Sequence, residues 1–112
     1  MLVVDDNWDA AESLADLLRI LGHDVDLAYD GPGAIAKIAA NAPDVVLCDI
    51  GLPGISGYEV AKAIRANGKP GVRLIALSGY AQAEDVKRAM EAGFDAHVAK
   101  PLDPEELARL LG

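Results

Sequence analysis

Cysteine and aromatic residues are scarce in this sequence. One of the 112 residues is cysteine, and Phe, Trp and Tyr together account for 4%. Because Cys48 has no second cysteine to pair with, no disulfide can close within the chain, and a reducing compartment is expected. No apolar run approaches the ~18 residues of a membrane span, and no basic segment precedes a short apolar one as in a signal peptide. We therefore expect a cytoplasmic protein with no membrane partner.

Positively charged residues are also few. The 10 Lys and Arg residues stand against 18 Asp and Glu residues, which gives a formal net charge of −8 and a pI of about 4.5. Direct binding to nucleic acid needs basic patches, so this composition argues against it. The length predicts a single domain over residues 1–112. Met1 stands at the start of an apolar strand and Gly112 soon after a helix, which is typical of a piece of a longer chain.

The hydrophobic pattern predicts five strands that alternate with five helices. Several of the short apolar runs do not alternate with polar residues, as in a parallel sheet that is covered on both faces. The stretches between them are amphipathic with helical spacing. A chain of this kind forms an α/β fold, (βα)5, with a doubly wound parallel five-stranded sheet. The predicted strands are Leu2–Val4, Val25–Tyr29, Val45–Cys48, Val72–Leu77 and Ala96–Ala99.

Capping residues mark the predicted helix starts. In a capping box, the side chains of the cap and of the third helical residue bond to free backbone N–H groups. Three pairs have this spacing: Asp9 with Glu12, Ser56 with Glu59, and Asp103 with Glu106. On the apolar faces, the first helix presents Leu14, Leu17, Leu18 and Leu21, and the fourth presents Val86, Ala89, Met90 and Gly93.

Polar residues follow all five predicted strands, and Asp30 is the one that follows the second. Asp5 and Asp6 follow the first, Asp49 the third, Ser78 the fourth and Lys100 the fifth. Sites in open α/β sheets form at the carboxyl ends of strands, so these side chains are expected to converge. Three carboxylates and one ammonium leave a local balance of −2, which favours a divalent cation. Hard oxygen ligands suit Mg²⁺.

This grouping has a definite chemistry. Asp49 would act as a carboxylate nucleophile and form an aspartyl-phosphate. Lys100 and the metal would offset charge on the transferring oxygens, while the Ser78 hydroxyl donates a hydrogen bond. Each residue taken alone has an ordinary explanation as a helix cap, a turn residue or solvated surface. The coincidence of all five at strand ends favours the site.

Other functions fit parts of the sequence. Gly31, Gly33 and Ala36 match the G-x-G-x-x-A fingerprint of a dinucleotide-binding fragment of an oxidoreductase, and Asp49 lies 18 residues beyond Gly31. Against this, Pro32 removes an N–H from the turn that would bind phosphate. An aspartate-based phosphatase of the haloacid dehalogenase type needs an acid where Gly51 stands. The third alternative is a pseudo-receiver that binds partners without being phosphorylated.

Taken together, the sequence resembles the receiver domain family of response regulators and hybrid sensor histidine kinases of two-component systems. The resemblance covers essentially the whole chain. It rests on the segments Leu2–Asn7, Asp44–Gly54, Leu74–Gly79 and Lys100–Pro101.

The resemblance implies a flavodoxin-like strand order of 2-1-3-4-5 and specific roles. Asp49 matches the phosphoacceptor, Asp5 and Asp6 the acidic pair that binds Mg²⁺, and the backbone carbonyl of Gly51 a further metal ligand. Ser78 matches the switch hydroxyl and Lys100 the lysine that pairs with the phosphoryl group. The implied partner is a sensor histidine kinase or a histidine phosphotransfer domain, and the chain itself is a phosphoacceptor in a phosphorelay rather than an enzyme. The expected state is a monomer or weak dimer.

One position departs from the family pattern. The family usually has Tyr or Phe three residues before the lysine, and it turns inward when the domain is activated. Here that residue is His97, which can pack, hydrogen-bond or titrate near neutral pH. Tyr80, two residues past Ser78, is a second candidate for the aromatic role. Trp8, at the start of the first helix, is expected to pack beside the acids.

Overall fold

The computed structural model describes residues 1–41, 43–67, 71–79, 83–100 and 103–111. Strands and helices alternate along this part of the chain, as the hydrophobic pattern predicts. The strands are β1 (Leu2–Val4), β2 (Asp26–Ala28), β3 (Val45–Asp49), β4 (Arg73–Ser78) and β5 (Ala96–Ala99). The helices are α1 (Trp8–Ile20), α2 (Gly31–Ala40), α3 (Gly57–Ala66), α4 (Ala83–Ala92) and α5 (Pro104–Leu111).

The five strands form one parallel sheet in the order β2-β1-β3-β4-β5. This confirms the predicted fold class and strand order. In register, Val4 pairs with Cys48, Asp49 with Leu77, and Ser78 with Ala99. The carboxyl ends of β1, β3, β4 and β5 are therefore nearly level, so the residues that follow them share one edge of the sheet.

Helices cover both faces of the sheet. Successive strand residues point to opposite faces, and the buried side chains accordingly divide into two clusters. One cluster packs beneath α1 and α5 and contains Val3, Leu47, Ile75, Leu77 and Val98 from the strands. The other packs beneath α2, α3 and α4 and contains Leu2, Val4, Val46, Cys48, Leu74 and Ala76. Cys48 is thus a buried core residue, as expected for a thiol on a central strand.

The helix starts confirm one of the three predicted capping boxes in full and, for the box of Asp103 with Glu106, the cap residue alone. Ser56 and Glu59 form the complete capping box of α3, and Asp103 accepts a hydrogen bond from the N–H of Glu105 at 2.9 Å at the start of α5. The predicted box of Asp9 with Glu12 is wrong. Asn7 caps α1 instead, because its side-chain oxygen accepts from the N–H of Ala10 at 3.1 Å, and Asp9 falls within the first turn.

Two residues expected in the core are exposed. Leu21 lies beyond the end of α1, and Met90 lies on the outer side of α4. On α4 the small residues Ala89 and Ala92 are buried instead. A stripe of small side chains lets a helix approach the sheet closely, so the buried face of α4 is rotated away from Met90. Among the described residues, no helix has the length and hydropathy needed to cross a membrane.

Candidate functional site

The carboxyl edge of the sheet brings together the residues that the sequence singled out. Asp5 follows β1, Asp49 ends β3, Ser78 ends β4 and Lys100 follows β5. The backbone N–H of Lys100 donates to the carbonyl oxygen of Ser78 at 2.8 Å, which places the lysine beside the end of β4. The convergence therefore follows from parallel strands that end nearly level.

Lys100 bridges two of the carboxylates. Its Nζ lies 3.0 Å from Oδ2 of Asp49 and 3.3 Å from Oδ2 of Asp5. The Asp5 side chain is only 5% exposed and that of Asp49 15%, whereas Lys100 keeps 33% of its side chain open to solvent. The lysine therefore closes one side of a pocket whose floor is formed by buried carboxylates.

Backbone N–H groups fix the other oxygens of these carboxylates. Oδ1 of Asp5 accepts from the N–H of Asn7 at 3.0 Å, and Oδ1 of Asp49 accepts from the N–H of Gly51 at 3.0 Å. Each aspartate thus has one oxygen bound to the following loop and one oxygen facing Lys100. Asn7 has a double role that sequence reasoning missed, since its N–H orients Asp5 while its side chain caps α1.

Asp5, Asp6 and Asp49 form an acidic pocket that can bind a metal ion. Each offers a carboxylate oxygen, and these three oxygens lie within 4.8 Å of one another. Asp5 is buried, Asp49 is half-buried and Asp6 is exposed, so the cluster runs from the core to the surface. An all-oxygen donor set that opens to solvent fits a hard divalent cation that retains water ligands.

The electrostatics of the pocket agree with its surplus of negative charge. Burial raises the pKa of Asp5 above its usual value, although the Asn7 N–H and the Lys100 charge act in the opposite direction. Burial by itself would lower the pKa of Lys100, but the hydrogen bond and charge of Asp49, with the charge of Asp5, raise it overall. Independently of these shifts, the pocket holds three carboxyl groups for one ammonium group, a formal surplus of negative charge that a bound cation would offset.

Cys48 does not take part in this chemistry. Burial, together with the charges of Asp49 and Asp5, raises the pKa of its thiol to about 12. The thiolate is the reactive form of cysteine, so this side chain is inert at neutral pH.

Gly57 brings α3 against the site and was not predicted. A Cβ on Gly57 would lie 2.7 Å from the carbonyl oxygen of Asp49 and 2.7 Å from Cα of Ile50. The N–H of Gly57 also donates to the carbonyl of Ile50 at 3.0 Å. Only glycine permits this approach of a helix start to the strand end. The one signal in the sequence is its place directly after the Ser56 cap.

Ser78 and His97 occupy different surroundings. Ser78 is buried at the end of β4. His97 lies on β5 opposite Ala76, on the face that α4 covers. Its Nε2 atom is buried and has no hydrogen-bond partner among the described residues. The role of His97 in switching remains a prediction, and Tyr80, like Pro101, lies outside the described residues.

Trp8 lies at the start of α1, near the acids but not buried. Its ring stacks on that of Tyr29 with 4.9 Å between centroids and 28° between planes. The side chain nevertheless remains 65% exposed. The contact that Trp8 makes is with Tyr29, the residue after β2, and packing of Trp8 beside the acids stays a prediction.

The glycine-rich segment after β2 has a structural explanation. Asp30 caps α2 by accepting from the N–H of Gly33 at 2.6 Å, so a carboxylate already uses the amide that a phosphate would need. A Cβ on Gly31 would lie 2.3 Å from Cγ1 of Ile55, which shows that Gly31 serves close packing. The dinucleotide-binding alternative is therefore not supported.

Comparison with known proteins agrees with this geometry. Residues 1–111 match the family described as "Response regulator receiver domain". The chain is 38% identical over 107 residues to the DNA-binding response regulator MtrA of Mycolicibacterium smegmatis, which covers 96% of this chain and 46% of that protein. It is 34% identical over 111 residues to the sensor histidine kinase RcsC of Salmonella typhi, covering 99% of this chain and 12% of RcsC. The chain thus spans about half the length of the regulator and a small part of the kinase.

A solved structure provides a similar fold with a metal. It is the receiver domain of sensor histidine kinase PA1611 from Pseudomonas aeruginosa PAO1, with a magnesium ion coordinated in its active site cleft. The TM-score is 0.89 at 36% sequence identity, over 98% of this chain and 91% of that one. Neither the dinucleotide-binding nor the pseudo-receiver alternative receives support from these comparisons.

Proposed function

Because the chain belongs to the response regulator receiver domain family of two-component signalling, we propose that Asp49 is its phosphoacceptor in a phosphorelay. The donor is a phosphohistidine on a sensor histidine kinase or a histidine phosphotransfer domain. The observation that carries this assignment is the contact of the Asp49 carboxylate with Lys100, 3.0 Å away, inside an acidic pocket at the carboxyl edge of the sheet. Residues 1–112 act as one receiver domain.

Asp49 supplies the nucleophile. One carboxylate oxygen attacks the phosphorus, the bond between phosphorus and the donor's imidazole nitrogen breaks, and an aspartyl-phosphate forms while the imidazole takes up a proton from solvent. An ionised carboxylate has no proton to lose, so the attack needs no general base. The Gly51 N–H holds Oδ1 of Asp49, which limits rotation of the attacking carboxylate and keeps it oriented.

Lys100 and Ser78 act on the phosphoryl oxygens. Lys100 pairs with Asp49 before transfer and is placed to pair with the negative phosphoryl group afterwards. Ser78, at the end of the neighbouring strand, supplies a hydroxyl that donates to another phosphoryl oxygen. Both residues end adjacent strands, and the bond between their backbones keeps them together.

Asp5, Asp6 and Asp49, with the backbone carbonyl of Gly51, would hold Mg²⁺. The all-oxygen donor set and the uncompensated charge of the pocket support this choice of ion. When bound, the ion offsets negative charge on the transferring oxygens. The two aspartates that precede α1 contribute to this site from the core side and the solvent side respectively.

Phosphorylation shifts an equilibrium between two conformers of the loops after β4 and β5 and of the helices α4 and α5. Ser78 senses the phosphoryl group, and His97 and Tyr80 are candidates for the side chain that responds. Within the part of the chain that the structure describes, the buried Nε2 of His97 has no hydrogen-bond partner, and an unsatisfied buried nitrogen is costly, which favours a change of its surroundings. The chain acts as a phosphoacceptor rather than as a kinase, in the cytoplasm, as a monomer or weak dimer, without direct contact to nucleic acid or membrane.

The experiment that tests this function is phosphorylation by a small donor. The chain is incubated with acetyl phosphate in the presence and absence of Mg²⁺, and the adduct is trapped by reduction and located by mass spectrometry. One phosphoryl group is expected, on Asp49 and only with Mg²⁺. Asp49→Ala should abolish incorporation completely.

A matched control is Asp44→Ala. Asp44 is an exposed aspartate at the other end of the same strand, far from the pocket. This variant should be labelled as efficiently as the parent. Labelling of the Asp49→Ala protein at the parent's level would show that the site is assigned wrongly.

A further inference from the structure

The stack of Trp8 on Tyr29 forms an aromatic platform on the two segments that adjoin Asp5 and Asp6. Trp8 begins α1 two residues after Asp6, and Tyr29 follows Ala28, whose carbonyl accepts the N–H of Asp5 at 3.1 Å. The backbone of both residues therefore lies close to the loop that carries these two aspartates. Since the stack engages one side of the indole, the 65% of Trp8 that is exposed is open to a binding partner.

The two segments that carry the platform are acidic, while Lys100 of the adjoining pocket is paired with Asp5 and Asp49. Asp6, Asp9, Glu12, Asp16 and Asp30 are all exposed. Residues 5–18 and 24–36 contain no lysine or arginine, and the first cation along α1, Arg19, is paired with Asp16. Asp9, Glu12 and Asp16 have the spacing of one helix stripe. The platform therefore lies at the end of an acidic strip.

An exposed indole face among carboxylates binds a cationic side chain. The ring quadrupole attracts an ammonium or guanidinium group, and the surrounding negative charge steers it in. A second copy of this chain would bring a further net charge of −8 to the same strip and be repelled. Nucleic acid and anionic membranes are excluded by the same repulsion.

We propose that the Trp8–Tyr29 platform docks an arginine or lysine side chain of the protein that donates the phosphoryl group. This inference rests on the proposed function. A donor protein must bring its phosphorus atom to Asp49, so its surface must cover the pocket mouth and the start of α1 beside it, which carries Trp8. A basic residue near the phosphohistidine then meets the exposed indole and the acidic strip together.

The test compares two donors. The first donor is a phosphohistidine protein, chosen by screening the histidine kinases and phosphotransfer domains of the source organism for the one that labels the parent chain fastest. The second donor is acetyl phosphate. Trp8→Ala should slow transfer from the protein about tenfold or more, as truncation of a Trp anchor does at interfaces. Its rate with acetyl phosphate, which needs no docking, should change less than about twofold.

Further variants separate the cation–π contact from apolar contact. Trp8→Phe keeps an aromatic face and should retain most of the rate from the protein donor, whereas Trp8→Leu should lose it. Ile20→Ala is the matched control, because Ile20 is 82% exposed at the other end of α1, and it should behave as the parent.

Three outcomes overturn the proposal. They are an unchanged rate for Trp8→Ala with the protein donor, an equal loss with both donors, and full activity of Trp8→Leu. Failure of the parent chain to be labelled by acetyl phosphate would instead overturn the proposed function, and this proposal with it.

Discussion

The molecule has two charged clusters at opposite edges of its sheet, and they are built differently. At the amino ends of β4 and β5, Arg65 donates to the carbonyls of Gly93 (3.0 Å) and Val72 (2.7 Å) and to Oδ2 of Asp95 (2.9 Å). The same Asp95 oxygen also accepts from the N–H of Leu74 at 2.9 Å. Among the described residues, Arg65 thus pairs with one carboxylate and donates to two backbone carbonyls.

The cluster at the carboxyl edge has three carboxylates for one ammonium group. Lys100 pairs with Asp5 and Asp49, while Asp6 adds a further negative charge at the surface. The Arg65–Asp95 cluster, in which the charges balance, joins α3 to β4 and to the loop before β5 and has no surplus charge that would attract a ligand. The cluster of Lys100 with the three aspartates has a surplus of negative charge and can bind a cation, which in turn favours a phosphoryl group. Similar residue types therefore form a stabilising contact between elements at one edge and a binding site at the other.

Removal of the lysine should have the largest effect. Lys100→Ala is expected to slow phosphorylation of Asp49 about 100-fold, because it removes a charged donor from the transferring oxygens. Binding of Mg²⁺ should be retained, since the carboxylates remain and the local charge becomes more negative. Rates of labelling by acetyl phosphate and a Mg²⁺ titration measure the two properties separately. Equal losses of metal binding and of labelling would mean that Lys100 maintains the pocket rather than acting on the phosphoryl group.

Two glycines, one from each edge, give a second comparison. Gly57→Ala should destabilise the fold by about 2 kcal/mol and slow labelling, because the new Cβ would press on backbone atoms of Asp49 and Ile50, which cannot move aside cheaply. Gly71→Ala, next to the Arg65 cluster, meets nothing within 4 Å and should be close to neutral. Urea unfolding of both variants decides the point, and an equal stability of the two would contradict the steric argument.

The Arg65–Asp95 cluster should contribute to the stability of the fold and not to the phosphorylation of Asp49. Arg65→Met removes three hydrogen bonds between described residues, one of which is the partly exposed ion pair with Asp95. About 1–2 kcal/mol of unfolding free energy should be lost. The rate of Asp49 labelling per folded molecule should stay within about twofold of the parent. Arg65→Lys should restore part of the stability. A loss of labelling without a loss of stability would break the contrast between the two edges.

The smallest effect is expected from neutralising Asp5. Burial raises the pKa of Asp5 in the folded chain above its ordinary value of 3.8. The stability that the protonated form contributes is therefore fully present below pH 3.8 and is lost as pH rises through the folded pKa. Asp5→Asn should therefore be slightly more stable than the parent at neutral pH without metal, with the difference shrinking toward pH 3.8. Mg²⁺ should reverse the order, because it stabilises the chain that retains the ligand. Urea midpoints with and without Mg²⁺ at two pH values test both statements.

Much of the fold and site was accessible from the sequence. Unbroken apolar runs indicated strands covered on both faces, and β1 and β5 have the predicted bounds. The placement of Asp5, Asp49, Ser78 and Lys100 after such runs then predicted their convergence, since parallel strands that end level share an edge. These are repetitive patterns that depend mainly on near neighbours along the chain.

Other features depend on how distant segments meet. Met90 is exposed because Ala89 and Ala92 face the sheet, and helical spacing alone does not say which flank of an apolar stripe is covered. Asn7 rather than Asp9 caps α1, where the chain has just turned away from the buried Asp5. The Trp8–Tyr29 stack joins rings that are 21 residues apart in sequence.

The sequence by itself determined the alternation of strands and helices, the negative net charge, and the set of residues at the strand ends. Each of these depends only on composition and on the order of neighbouring residues. Only the tertiary structure decided that Lys100 reaches two carboxylates at once, that Gly57 lies against Asp49, and that Arg65 donates to Gly93, Val72 and Asp95 at the other edge. Such contacts depend on distances of a few ångströms between segments that are far apart along the chain, and packing of the whole core sets those distances.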